Sequence, residues 1–179
     1  MGRHRAQMDV QFLPKLPQGK GFDYKISVIH LATRLKYSEI HDNQDSATLA
    51  QVLTRAVARL PPFWVVFTDN HMVFTMKYTA HPERLTAFDR QCQALGIAHA
   101  LIPKGKPWRN GFIERSNRTD KAELFQQRRF GDNEERRYYL RLWEMEYNHN
   151  RPHQGIDNQT PKQRCAQVHP VFATCCMPI

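Results

Sequence analysis

The stretch FWVVFTDN, residues 63–70, is an apolar run that ends in an acid and an amide. A run of about five bulky apolar residues is typical of a parallel-sheet strand that helices cover on both sides. Ligands and catalytic groups gather where such strands end, because the crevice of the fold opens there. Asp69 and Asn70 are also common turn residues, so a plain turn is the alternative explanation of this pair.

Length and composition restrict the class of protein. The 179 residues are enough for one well-buried domain and too few for two comfortable ones. No apolar run is long enough to span a membrane, and no signal-peptide pattern occurs at the start. The four cysteines form no CxxC pair, and His149 and His153 lack cysteine partners at zinc-site spacing. We therefore expect neither a disulfide framework nor a structural zinc ion.

Apolar periodicity and breaker residues predict elements in the order β-β-β-α-β-α-β-α-α. Residues 1–7 are expected to be a loose lead-in, residues 14–21 a turn and residues 103–111 a mobile basic loop. The predicted strands cover residues 8–13, 22–32, 35–40, 63–67 and 97–102. The predicted helices cover residues 46–60, 85–95, 112–127 and 134–148, with Gly96 as a C-terminal cap residue. This order predicts an α/β fold with a mixed five-stranded sheet, three antiparallel strands then two parallel, flanked by helices.

Charge favours a polyanionic partner. The net charge is +9, and residues 104–118 contain five basic side chains and only one acid, Glu114. On a helix, Glu114, Arg118 and Lys121 would share one face. A solvated charged face with an ion pair between Glu114 and Arg118 is the alternative explanation of this pattern.

Three carboxylates stand where chemistry could use them. Asp9 lies inside the first predicted strand, where an acid is costly to bury unless a cation meets it. Asp69 ends the fourth predicted strand, and Glu114 opens a helix, where the helix dipole favours a negative charge. Oxygen donors that converge from separate elements suit Mg²⁺ or Mn²⁺.

Four segments in order carry a resemblance to a known family. They are MDVQFLPKLP with the later ATRL, FTDN, KPWRNGFIERSNRTDKAE, and YNHNRPHQGIDNQTP. The sequence resembles the catalytic core of bacterial insertion-sequence transposases of the retroviral-integrase type, the DDE recombinases. The resemblance covers most of the chain and implies an RNase H-like core over residues 1–165, followed by a C-terminal tail over residues 166–179.

The resemblance also implies an activity, which is metal-dependent cleavage of DNA ends followed by strand transfer. Asp9, Asp69 and Glu114 would be the catalytic residues and the ligands of Mg²⁺ or Mn²⁺, with two ions expected. The residues expected to bind DNA are Lys104, Lys106, Arg109, Asn110, Arg115, Arg118 and Lys121. The expected partners are element ends and target DNA, with the chain a homo-oligomer on DNA in the bacterial cytoplasm, at the nucleoid, and not at a membrane.

The sequence departs from the family pattern at two positions after TDN. His71 and Val73 stand where the family usually has a glycine and an acid, and a side chain at a glycine turn predicts backbone strain. An insertion is expected around residues 76–82. Two other functions therefore stay open, namely an RNase H-like nuclease without strand transfer and an inactive DNA-binding or assembly module. Glu123 is the competitor of Glu114 for the third carboxylate.

Overall fold

A five-stranded mixed sheet runs through the computed structural model, which describes residues 4–13, 16 and 21–175. The strands are β1 (Arg5–Phe12), β2 (Tyr24–His30), β3 (Lys36–His41), β4 (Val65–Thr68) and β5 (Ala98–Leu101). Their order across the sheet is β3-β2-β1-β4-β5. Strands β1 to β3 are antiparallel neighbours, and β4 and β5 continue the sheet parallel to β1. The predicted sheet of three antiparallel and two parallel strands is confirmed.

Helices cover both faces of this sheet. They are α1 (Ser46–Arg59), α2 (Ala87–Ala94), α3 (Gly111–Asp120), α4 (Asn133–His149), α5 (Pro161–Val168) and α6 (Pro170–Cys175). The predicted helix over residues 112–127 is α3 followed by a π-helical turn, Lys121–Phe125. The last two helices were not predicted, because their apolar pattern is weak. Within the described residues, no helix has the length and apolar character needed to cross a lipid bilayer.

Local signals in the sequence set the helix boundaries. The Asp45 side chain accepts a hydrogen bond from the Thr48 amide at 2.7 Å and so caps α1. Thr86 and Asp89 form a capping box at the start of α2. Gly96 follows α2 with φ of +66°, the left-handed conformation that the sequence predicted for a C-terminal cap residue.

Two expectations about loops change. The loose lead-in is wrong for residues 5–7, because β1 begins at Arg5 and pairs there with Val65 of β4. A partner strand that is distant in sequence supplies hydrogen bonds which a local pattern cannot anticipate. The expected loop over residues 103–111 contains a 3₁₀ turn, Pro107–Asn110. The expected turn over residues 14–21 lies mostly outside the described residues.

The two faces of the sheet have different roles. Ala6 and Met8 of β1 are fully buried in the main apolar cluster, together with Leu49 and Leu53 of α1. Alternation along the strand turns Gln7 and Asp9 to the opposite face, beneath α3. A second apolar cluster on that side joins Leu124, Phe125, Phe130 and Leu140, with Tyr139 and Trp143 partly buried against it. The aromatic side chains Tyr139 and Trp143 of α4 therefore pack into the core.

The outer edge of β3 is closed by side chains of α4. Asn148 accepts a hydrogen bond from the Lys36 amide at 3.0 Å and donates one to the Lys36 carbonyl at 2.8 Å. Glu144 accepts from the Ser38 amide, and Arg137 donates to the Ile40 carbonyl at 3.2 Å. These contacts fall on alternate residues, 36, 38 and 40, which are the positions whose backbone faces away from β2. Side chains of α4 thus take the place of a sixth strand.

Candidate active site

Asp9 and Asp69 lie at one level of the sheet, on neighbouring parallel strands. Gln7 of β1 pairs with Phe67 of β4. Two residues farther along each chain stand Asp9, still inside β1, and Asp69, directly after β4. Because neighbouring strands are about 4.8 Å apart, this register brings the two carboxylates into each other's electric field.

The pKa of Asp9 records this proximity. Burial, and then the negative charge of Asp69, raise the pKa of Asp9 to about 6. Hydrogen bonds from Val10 and Asn117, and the charge of Lys25, act in the opposite direction and do not prevail. Asp9 and Asp69 therefore lack a cation that would balance their charge, and a divalent metal ion, which prefers oxygen ligands, would supply one.

A chain of hydrogen bonds braces the backbone at the end of β4. The Thr68 hydroxyl lies 2.9 Å from the Asp69 carbonyl and 2.8 Å from Nε2 of His99. Nδ1 of His99 in turn lies 2.7 Å from a carboxylate oxygen of Asp89, the residue that closes the capping box of α2. The position of Asp69 thus depends on β5 and α2 as well as on its own strand.

The two departures from the family pattern fit without strain. The described non-glycine residues with positive φ do not include His71. The His71 amide donates a hydrogen bond to Oδ1 of Asp69 at 3.0 Å. Val73 is partly buried and packs against the main apolar cluster. The predicted backbone strain at His71 is therefore not found. Asp69 directly follows β4, and its side chain closes this turn.

Gln7 and Asn117, which the sequence analysis did not single out, form hydrogen bonds that hold α3 against β1. Nε2 of Gln7 donates to the Arg109 carbonyl at 2.5 Å, and its Oε1 accepts from the Ile113 amide at 3.1 Å. Nδ2 of Asn117 donates to Oδ2 of Asp9 at 2.7 Å. Asn117 belongs to the quoted motif ERSNRTD, which was the available signal, whereas Gln7 fell in the supposed lead-in.

Glu114 lies on the helix next to Asp9 and Asp69 but is not grouped with them. It lies three residues before Asn117, so the two side chains are neighbours on the helix surface. Yet the described residues contain no group of three His, Cys, Asp or Glu side chains placed to hold a metal ion. The structure brings Asp9 and Asp69 together and leaves Glu114 as a third carboxylate on the adjoining helix.

Contacts of the neighbouring acids decide between earlier alternatives. Among the described ion pairs, none joins Glu114 to Arg118, so the alternative of a local helix pair is not realised. Glu123 instead accepts two hydrogen bonds from Arg151, at 2.6 and 2.8 Å. These bonds lower the pKa of Glu123 and hold it on the π-helical turn, away from Asp9.

The predicted DNA-binding side chains divide into four groups. Lys104, Lys106 and Arg109 are exposed in the segment before α3, and Nζ of Lys104 lies 3.8 Å from the ring centroid of Tyr78. Tyr78 belongs to the expected insertion over residues 76–82. Arg118 and Lys121 are exposed on the flank of α3 that carries Glu114, whereas Arg115 is exposed on the other flank. Asn110 is only 4% exposed and does not face solvent in this conformation.

Comparisons with known proteins agree with this geometry. Residues 95–161 match the family model of the integrase core domain. An uncharacterized 31.7 kDa protein of insertion element IS407, from Burkholderia multivorans, is 30% identical over 81 residues. That alignment covers 45% of this chain and 29% of the relative, so the chain spans less than a third of the relative's length.

Solved integrase structures share the fold. A chain of the simian T-cell lymphotropic virus intasome matches 94% of this chain and 55% of its own length, with a TM-score of 0.72 and 19% identity. The catalytic core domain of BIV integrase matches 96% of this chain and 99% of its own, with a TM-score of 0.68 and 19% identity. The HTLV-2 integrase core, solved in complex with magnesium, covers 91% of this chain and 96% of its own, with a TM-score of 0.66 and 15% identity. Residues 95–161 therefore match the integrase core domain, and the described chain has the RNase H-like fold of retroviral integrase catalytic cores.

Proposed function

We propose that this chain is the catalytic core of a DNA transposase, which cleaves the ends of an element and joins them to target DNA. The observation that carries this proposal is the pairing of Asp9 with Asp69 at one level of the sheet, with the pKa of Asp9 raised to about 6. Two carboxylates held together without a compensating cation form a site that a divalent metal ion completes.

In this site Asp9 and Asp69 would hold the metal, and Glu114 would turn towards them as the third ligand. When bound, two Mg²⁺ or Mn²⁺ ions held by these carboxylates would supply Lewis-acid activation of the phosphodiester. Asn117 orients the Asp9 carboxylate through its 2.7 Å hydrogen bond. Thr68, His99 and Asp89 hold the backbone of Asp69 in place.

The proposed reaction consists of two phosphoryl transfers. First, the oxygen of a water molecule attacks a phosphodiester at the element end, and the bond from phosphorus to the 3′ oxygen breaks, which leaves a 3′-hydroxyl. That hydroxyl then attacks a phosphodiester of the target, whose own 3′ oxygen leaves. Neither step needs a covalent bond between protein and DNA, so the site requires no serine or tyrosine nucleophile.

DNA would lie across the segment before α3 and along its Glu114 flank. The exposed cations Lys104, Lys106, Arg109, Arg118 and Lys121 would bind phosphates and make the affinity dependent on salt. Because transposition joins two element ends to one target, we infer that at least two copies of the chain act together on DNA.

A joining assay tests the proposal. An oligonucleotide with a free 3′-hydroxyl is incubated with supercoiled plasmid, Mn²⁺ and the protein, and joined products are counted. We expect joining with the hydroxyl-ended oligonucleotide and none with the same oligonucleotide ended by a 3′-dideoxynucleotide, which cannot attack. Plasmid cutting without joining would favour the nuclease, and the absence of both reactions would favour the inactive module.

A pair of matched substitutions tests the third carboxylate. Glu114→Gln keeps the size of the side chain but removes the charge that a metal ion needs, so we expect cutting and joining to fall by at least about 100-fold. Glu123→Gln makes the same chemical change at an acid farther along the chain, and it should keep near-normal rates because Arg151 already holds Glu123 away from the site. DNA binding should persist in both variants. If only Glu123→Gln is inactive, the assignment of Glu114 is wrong.

A further inference from the structure

A second basic site lies on the flank of α3 that faces away from Glu114. We call it the arginine cleft, a cavity of about 210 Å³ between α3 and the loop over residues 151–155. Successive residues of a helix turn by about 100°, which places this wall of α3 on the other flank from Glu114, Arg118 and Lys121. The cleft is lined by Arg34, Phe112, Arg115, Thr119, His153 and Gly155.

The arginine cleft continues into a neighbouring cavity. This second cavity of about 360 Å³ shares Arg34, Phe112 and Gly155 with the first and extends to Arg5 and Arg164. The two together form an elongated track that runs from Thr119 to Arg5. An elongated track fits an extended chain of charges better than a single small anion.

The charges along this track are of one sign. Within the part of the chain that the structure describes, no carboxylate lines either cavity, and the described ion pairs include neither Arg34 nor Arg115. Arg151 at the inner wall is paired with Glu123, and Arg164 at the far end of the track lies 3.9 Å from a carboxylate oxygen of Asp157. Burial and the charge of Arg115 lower the pKa of Arg34, while Tyr147 acts in the opposite direction. The cleft therefore carries positive charge that no carboxylate in its walls balances.

Arg34 is held rigidly in this position. Its backbone has φ of +64°, its Nη1 donates to the Leu31 carbonyl, and its guanidinium carbon lies 3.6 Å from the ring centroid of Phe112. A fixed guanidinium is preorganised for a phosphate, because its planar donors match two phosphate oxygens.

We propose that the arginine cleft binds the phosphodiester backbone of a second DNA segment, separate from the strand held at Asp9 and Asp69. The inference rests on the proposed function only in taking DNA as the nucleic acid. The rigid guanidinium, the lack of lining carboxylates and the length of the track are its grounds. The cleft would hold this second segment on the far side of α3 from the reacting phosphate.

Two substitutions test the cleft without removing the structural contacts of Arg34. Arg115→Glu reverses an exposed charge, and Gly155→Asp places a carboxylate beside Arg34, since a Cβ at residue 155 would lie 3.9 Å from Nη2 of Arg34, an ordinary van der Waals distance. Binding of a fluorescein-labelled DNA duplex is measured by anisotropy across a salt series. We expect each variant to bind about tenfold more weakly and to reduce the salt slope by about 1. The matched controls Arg129→Glu, at an exposed site, and Gly155→Ala should bind like the parent chain.

Photocrosslinking locates the bound DNA. Phe112→p-benzoylphenylalanine puts a photoreactive group in the cleft wall, and we expect it to crosslink the duplex, with the crosslink lost in Gly155→Asp. Inorganic phosphate at the same phosphate concentration should compete far less well than unlabelled DNA. Equal competition, or parental affinity and crosslinking in Gly155→Asp, would overturn the cleft proposal. A chain that crosslinks normally but never cuts plasmid DNA in Mn²⁺ would sink the transposase proposal and leave the cleft intact.

Discussion

At the scale of single residues, Asp9 is where stability and chemistry oppose each other. Its pKa of about 6 lies above the ordinary value of 3.8, because burial and Asp69 both disfavour the charged form. The stabilisation from the neutral carboxyl is therefore complete below about pH 3.8 and is lost as the pH rises through about 6. Above that pH the folded chain carries an unfavourable charge at the position where the proposed metal would bind.

Asp9→Asn should consequently stabilise the metal-free protein. We expect its free energy of unfolding to match that of the parent chain near pH 3.8 and to exceed it by about 1–3 kcal/mol above pH 6. In a chain of this size, each 1 kcal/mol corresponds to about 2–4 °C in Tm, which thermal melts across the pH series would detect.

Metal addition gives the same substitution a second readout. Mn²⁺ should raise the Tm of the parent chain and leave that of Asp9→Asn nearly unchanged, because one ligand has lost its charge. Asp42→Asn, which removes an exposed carboxylate, serves as the control and should follow the parent in both series. A gap between Asp9→Asn and the parent that is as large at pH 3.8 as at neutral pH would contradict this account of Asp9.

At the scale of elements, the side chains that join α4 to β3 include a second acid with a displaced pKa. Burial raises the pKa of Glu144 to about 8, although the charge of Lys36 and the Ser38 amide favour its ionised form. Its Oε2 is buried and has no hydrogen-bond partner among the described residues. The neutral form of Glu144 thus stabilises this junction fully below its ordinary pKa of 4.5, and the stabilisation is lost as the pH rises through about 8.

Glu144→Gln should therefore stabilise the chain in alkaline solution. The amide oxygen can still accept from the Ser38 amide, and no charge forms at any pH. We expect a gain of about 1–3 kcal/mol above pH 8 and little change near pH 4.5, measured by denaturant unfolding. Glu146→Gln, on an exposed part of the same helix, should show no such pH dependence.

The sequence predicted the elements better than the contacts between them. Apolar periodicity and caps gave the order of strands and helices through α4, because those signals are local. Asp120 could not be recognised in this way, since an acid in mid-helix usually faces solvent. It is in fact fully buried between Lys25 and Lys36, which come from two strands far away in the chain. Glu114 was predicted as the third carboxylate from its motif, but whether its side chain joins Asp9 and Asp69 depends on side-chain placement that no pattern encodes.

At the scale of the whole molecule, the arrangement of positive charge suits the proposed binding of DNA without recognition of its base sequence. Lys104, Lys106 and Arg118 are exposed, and long cations of this kind bind phosphates of any sequence. Replacing all three by Ala should weaken binding equally for unrelated duplexes and flatten the salt slope by about 3. Anisotropy titrations over a salt series measure both quantities, and an unchanged slope would mean that these side chains face only solvent.

The closure of β3 by α4 has a consequence for how copies of this chain can assemble. An open strand edge recruits other strands, and proteins crowded together on DNA would then fuse their sheets and aggregate. Here Asn148, Glu144 and Arg137 occupy the outward backbone groups of β3, and the opposite edge strand, β5, has only four residues. If copies of the chain gather on DNA as proposed, they would therefore meet through side-chain surfaces rather than through β3.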